Sequence, residues 1–217
     1  NQDAKYYWYA GDKELAILSS ETSVLNEAYD TPTFTNRRDG AVIELEGNSY
    51  ETLLVGKHNL QNMQAALLVC EHLGVSPVQF LEAIADFTGA GRRMEKIVDL
   101  SNQVVFRDFA HSPSKLEATV KAVAETYEGA VLAVFELHTF SSLTKSFLPL
   151  YKDAMSSADR RIVFYNDEVF AHKKMEYLDA AYVKECFGDV EIVHEAEALE
   201  SLVDASFKNG DHILLMS

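Results

Sequence analysis

Cations and cysteines are what this chain is short of. Nineteen lysines and arginines stand against 34 aspartates and glutamates, for a net charge of −15. Nucleic-acid surfaces are built on clustered Lys and Arg, so this balance excludes a nucleic-acid partner. The excess is spread out, with 13 acids against 7 bases before Glu95 and 21 against 12 from there on, so it is a solubilising charge rather than an acidic tail. The only cysteines, Cys70 and Cys186, lie in apolar helical stretches. Two such residues read as buried thiols in a reducing compartment, not as a disulfide. No apolar run reaches the roughly 20 residues of a membrane span, and no secretory signal opens the chain. A cytoplasmic protein with no membrane partner is expected.

Several catalytic signatures are also missing. Gly56-Lys57-His58 looks like the end of a phosphate loop, but that motif needs Gly at 51 and Ser or Thr at 58, where this chain has Glu51 and His58. If ATP is used, its main triphosphate cradle is not in this chain. His194-Glu195 fails as a zinc motif, because position 198 is Ala. His72, His172 and His212 have no ligand partners at suitable spacing and read as structural or exposed. No nucleophile elbow is present.

What remains is globular: 47% of residues are hydrophobic and 24% charged, enough for one large core or two ordinary ones. Up to about Phe87 the chain mixes β and helix. Short strands are expected at Tyr6–Tyr9 and Leu15–Leu18, and a hairpin over 41–55 turning at Gly47-Asn48. Helices follow over Asn59–Leu73, ended by Gly74, and over Pro77–Phe87, capped by Ser76. After Glu95 strands alternate with helices. Strands are expected near 104–106, 130–135, 161–165, 191–193 and 213–216. The helices between them are placed near 112–126, 145–156, 182–187 and 197–207. This pattern predicts an α/β fold with a Rossmann-like, mostly parallel sheet covered on both faces, after a β-rich and helical segment. The boundary is placed at residues 93–96, giving domains 1–94 and 95–217. The chain starts at Asn1 and stops just after an apolar run, so a fragment is expected.

In such sheets ligands sit beyond the C-terminal strand ends. Asp108 to His111, Glu136 to Thr139 and Asn166 to Glu168 fall there. Each candidate has two readings. Asn59 is a natural helix cap, whereas the amide of Asn62, which both donates and accepts, matches the adenine edge. Arg92 and Arg93 are either a solvated charged face or a guanidinium grip on phosphate. Asp108 and His111 either enter a helix capped by Ser112, or hold a ribose hydroxyl and a carboxylate or developing charge.

Gly56 to Asn62, Arg92-Arg93-Met94-Glu95 and Asp108-Phe109-Ala110-His111-Ser112-Pro113 together resemble the Mur ligase family of ATP-dependent amide-forming ligases in peptidoglycan synthesis. The likeness rests on Gly-x-His-Asn-x-x-Asn, an Arg-Arg-x-Glu junction and Asp-Tyr-Ala-His-x-Pro in that order. It implies that 1–94 end the central ATPase domain and 95–217 form the amine-substrate domain. It further implies ATP bound through Asn59, Asn62, Arg93 and Asp108, with Mg2+ ligands outside this chain. Arg93 and His111 would be catalytic, and His111 and His138 would face the substrate. The partners implied are UDP-N-acetylmuramate, an amino acid or tripeptide, and the preceding domains of the same protein, without which no ATP turnover is expected. Alanine-adding members carry arginines after the second strand of this domain. His138-Thr139-Phe140-Ser141-Ser142 has none, which favours a peptide. The alternative is a non-catalytic nucleotide-binding or interaction module on the same scaffold. A folylpolyglutamate-type ligase fits the Asp-Phe-Ala-His-x-Pro form less well.

Overall fold

Residues 5–217 are described by the computed structural model, and the chain parts between Thr88 and Gly89 into two units. In the first, β1 (Lys5–Tyr9) and β2 (Leu25–Tyr29) pair in parallel around α1 (Lys13–Glu21). The strand expected at Leu15–Leu18 is therefore helix. A four-residue apolar run suits either, and the cap decides. The Asp12 carboxylate accepts the N–H groups of Glu14 and Leu15 at 3.0 Å each.

An antiparallel meander follows: β3 (Phe34–Arg37), β4 (Gly40–Leu45) and β5 (Asn48–Thr52). The hairpin turns at Glu46-Gly47, one position before the expected pair, with φ of 51° and 80°. Two left-handed residues match the twist of the flanking strands. The helices α2 (Lys57–His72) and α3 (Pro77–Ala83) pack on the meander. Leu60, Met63 and Leu67 of α2 meet Ala41, Ile43 and Leu54 in one core with Leu81. Ser76 and Gln79 form a reciprocal capping box, while α3 stops at Ala83 rather than Phe87.

The second unit holds a six-stranded sheet. Its strands are β6 (Glu95–Leu100), β7 (Gln103–Asp108), β8 (Val131–Glu136), β9 (Arg160–Phe164), β10 (Glu191–Val193) and β11 (His212–Met216). Their order is β10-β9-β8-β11-β7-β6, parallel except for β6. The expected mostly parallel α/β fold is thus what forms, with β6 as an additional antiparallel edge. The connections carry α4 (Pro113–Thr126), α5 (Glu168–Lys173), α6 (Ala180–Phe187) and α7 (Ala196–Asn209). No helix among the described residues is long and apolar enough to cross a membrane.

Alternation along the strands sends neighbours to opposite faces. Val105, Leu132, Val134, Ile162 and Ile213 pack under Leu199, Leu202 and Val203 of α7. On the other face Phe135 meets Tyr151 and Phe187, with ring centroids 5.4 and 6.0 Å away. Residues 145–156, expected as a helix, form a chain of turns with one 3-10 turn at Leu148–Tyr151. Pro149 lacks an N–H, and Asp153 takes a left-handed φ of 58°; both interrupt α-helix. Cys186 is buried, while Cys70 is only half-buried; both are free thiols. The structural reading of His212 holds. Its Nδ1 accepts the Val104 N–H at 3.2 Å, and its Nε2 lies 3.0 Å from the Glu128 carbonyl oxygen.

Candidate functional site

The C-terminal edge of the parallel sheet gathers polar side chains from three loops. Asp108, the last residue of β7, is buried. Its carboxylate accepts the Met94 N–H at 2.7 Å. That bond requires the preceding segment to turn sharply, and Arg92 and Met94 take left-handed φ values of 58° and 46°. Such backbone costs about 1–2 kcal/mol at each non-glycine residue. The Phe109 N–H donates to the Arg92 carbonyl at 2.9 Å, so the arginine segment and the strand-end loop brace each other.

Phe109 is the hub. The Arg93 guanidinium donates to its carbonyl at 2.9 Å and lies 5.4 Å from its ring centre. The rings of His111 and His138 lie 4.6 and 6.4 Å from the same ring. His111 Nδ1 is 3.2 Å from the Phe109 carbonyl oxygen. The Tyr151 hydroxyl donates to the His111 carbonyl, fixing the loop from below. Burial pushes that phenol up to about 12, so it remains a donor at neutral pH. Arg93, Asp108, His111 and His138 are therefore brought together. Nothing in the sequence pattern singles out Tyr151, which arrives from a distant turn.

Arg92 meets this cluster through its backbone carbonyl, and two other candidates lie in the first unit. Arg92 donates its own N–H to Glu95 at 3.2 Å, and Arg107 pairs with the same carboxylate oxygen at 2.9 Å. The Arg107 hydrogen bond holds the Glu95 carboxyl below its usual range. Asn59 and Asn62 belong to the first unit. Helix α2 is capped at Gly56 rather than Asn59, whose amide donates to the Val55 carbonyl at 2.8 Å. Asn62 is exposed. A cleft of about 300 Å³ in that unit is lined by Thr31, Met63, Leu67 and Leu81 among others, and by neither asparagine. Ser112 stands at the start of α4 but makes no side-chain capping bond. At the third strand end, Asp167 Oδ1 lies 3.0 Å from His194 Nδ1, a close contact that lacks hydrogen-bond geometry. No group of three or more His, Cys, Asp or Glu that could hold a metal ion occurs among the described residues.

Asp108 carries a testable pH signature. Burial raises its carboxyl above the ordinary aspartate range, opposed by the Met94 N–H and the charges of Arg93 and Lys115. A raised folded-state value means the native state holds the proton more tightly than the unfolded chain. Stability is then lost as pH rises from the unfolded toward the folded value. Asp108→Asn keeps an acceptor for Met94 and removes the buried charge. The variant should match wild type at acid pH and become the more stable of the two as pH rises through that window. Denaturant midpoints followed across pH check this; parallel curves would refute it.

The arrangement is a strand-end site on an α/β sheet with an arginine, a buried acid and two imidazoles around one aromatic ring. Residues 92–217 match the family described as Mur ligase, glutamate ligase domain, and the chain belongs to the Mur ligase family. It is 32% identical over 207 residues to UDP-N-acetylmuramate–L-alanine ligase of Caldicellulosiruptor bescii, covering 93% of this chain and 44% of that protein. The enzyme of the same name from Dinoroseobacter shibae is 29% identical over 164 residues, covering 74% and 35%. Among solved structures, UDP-N-acetylmuramate-alanine ligase of Thermotoga maritima superposes with a TM-score of 0.66 at 19% identity, over 97% of this chain and 47% of that one. Murein peptide ligase of Psychrobacter arcticus gives 0.60 at 18%, over 100% and 48%. At these identities the structures establish the fold. The chain spans less than half the length of these relatives.

Proposed function

We propose that the whole protein is an ATP-dependent ligase that joins the carboxylate of UDP-N-acetylmuramate to an amino acid or peptide amine. The γ-phosphoryl group of ATP passes to a carboxylate oxygen and ADP leaves. The amine nitrogen attacks the acyl carbon and loses its proton, and the C–O bond to phosphate breaks. Such chemistry asks for positioning and charge neutralisation more than covalent help. Residues 1–94 close the ATPase domain in this reading, and 95–217 carry the amine substrate. Asn62 meets adenine, and Asn59 is assigned to the same nucleotide. Arg93 meets the transferring phosphate, Asp108 the ribose, and His111 and His138 the incoming amine. The reaction is placed in the cytoplasm, with Mg2+ held by residues outside this chain. The observation that carries the reading is the gathering of Arg93, His111 and His138 around Phe109 at the sheet edge where α/β ligands bind.

The test is ADP release by the full-length protein given ATP, Mg2+ and UDP-N-acetylmuramate, with L-alanine and with L-alanyl-γ-D-glutamyl-meso-diaminopimelate in parallel. Release dependent on one acceptor is expected, and none from residues 1–217 alone. No acceptor-dependent release from the full-length protein would favour a binding module.

A further inference from the structure

Under the candidate site lies a cluster of phenylalanine rings with one tyrosine hydroxyl in it. Tyr151 closes the 3-10 turn at Leu148–Tyr151 and is fully buried. Its ring stacks on Phe187, 4.9 Å away and 11° from parallel, and meets Phe135 and Phe147 at 5.4 and 5.8 Å. Those rings come from the end of α6, from β8 and from the residue before the turn, so the Tyr151 ring is gripped on three sides. A phenylalanine would pack there equally well. A buried hydroxyl destabilises unless it is bonded, so packing alone does not call for one. This one donates to the carbonyl oxygen of His111, 40 residues earlier in the chain.

That carbonyl belongs to the loop that carries the imidazole. At one end of the loop the Phe109 N–H is tied to Arg92, and at the other the Ser112 carbonyl accepts the Leu116 N–H at 2.9 Å. Between these ends, among the described residues, no other hydrogen bond from outside the loop reaches the backbone of Ala110 or His111. Pro113 has no N–H to add, and Ser112 makes no side-chain capping bond. The His111 ring leans on Phe109 of the same loop, which cannot hold it against the sheet by itself. We infer that the Tyr151 hydroxyl positions His111 for the amine step, by fixing the carbonyl and with it the imidazole over the sheet edge. The inference rests on the ligase reading and adds a positioning residue that serves the acceptor and not the nucleotide. Phe109 stays pinned to Arg92, so Arg93 keeps its place when the hydroxyl is lost. A misplacement of about 1 Å can cost about 100-fold in rate, so one buried bond can weigh far more in catalysis than in stability.

The experiment uses the full-length protein with whichever acceptor the wild type ligates, and product is counted by mass spectrometry over long incubations so that slow variants stay measurable. Tyr151→Phe keeps the ring and removes only the hydroxyl. It should lower kcat/KM for the acceptor about 10- to 100-fold, while KM for ATP changes by no more than about twofold. The same substitution in a His111→Ala background should lower the rate by less than about threefold further, because the group it positions is gone. A crystal structure of full-length Tyr151→Phe should show the ring at position 151 in place and the His111 carbonyl and imidazole displaced. An unchanged acceptor kcat/KM in Tyr151→Phe, an equal fold loss in the two backgrounds, or an unmoved loop over 109–112 overturns this inference and leaves the ligase reading intact. A wild type that ligates nothing overturns both.

Discussion

Arg93→Ala lowers acceptor-dependent ADP release by the full-length protein about 100- to 1,000-fold, the loss seen when one fixed donor to a developing charge is removed. The reason is pre-organisation. One N–H of the guanidinium is committed to the Phe109 carbonyl and its plane lies near the Phe109 ring, which leaves other donors of the fork for a ligand. Arg93→Lys keeps the charge and loses the planar fork, so recovery of less than about tenfold is expected. Both substitutions are partly solvent-exposed, so unfolding midpoints should stay close to wild type. Steady-state rates with the midpoints measured alongside check this; a wild-type rate in Arg93→Ala removes Arg93 from the site.

Gly40→Ala should strongly destabilise the first unit. The new Cβ would stand 1.9 Å from the Thr52 carbonyl oxygen and 2.8 Å from the Leu53 Cα, both backbone atoms, at a φ of 142°. No side-chain rotation relieves that, so β4 and β5 must separate where Ala41 and Ile43 enter the core. A cost of about 4 kcal/mol or more is expected. Gly47→Ala is the control. Its Cβ meets open space, and only the left-handed φ of 80° is charged, about 1–2 kcal/mol. The single tryptophan, Trp8, lies in β1 of the same unit, bonded to Asn26 at 3.2 Å, and its fluorescence can follow this transition in denaturant. Equal midpoints for the two variants would contradict the close approach.

The parallel strands were legible because β8 and β11 are unbroken apolar runs, the mark of strands buried on both faces. Their polar strand ends followed from the same register, and so did the placing of Asp108, His111 and His138 on one edge. Where local pattern failed, something outside it decided. Leu15 to Leu18 turned helical through the Asp12 cap. Phe147, Leu148, Tyr151 and Met155 have helical spacing and include buried side chains, yet Pro149 and Asp153 leave turns there. Strand β6 escaped notice because its register shifts between Lys96 and Val98, which breaks the period of two. The six residues of α5 are too few to show a helical period, and only Glu168 of them stands among the expected strand-end residues. In the sequence Phe109 is only the residue where the Asp-Tyr-Ala-His-x-Pro pattern has tyrosine. That it joins an arginine to two histidines depends on backbone turns at Arg92 and Met94 that no composition signal marks.

The central claim is that a carboxylate is activated by phosphoryl transfer before the amine attacks. It is tested most directly with UDP-N-acetylmuramate carrying oxygen-18 in its carboxylate, turned over by the full-length protein with ATP and its acceptor. The account predicts that one labelled oxygen leaves in each inorganic phosphate, because the oxygen that took the phosphoryl group departs with it. Phosphate free of label, with amide formed, would contradict it.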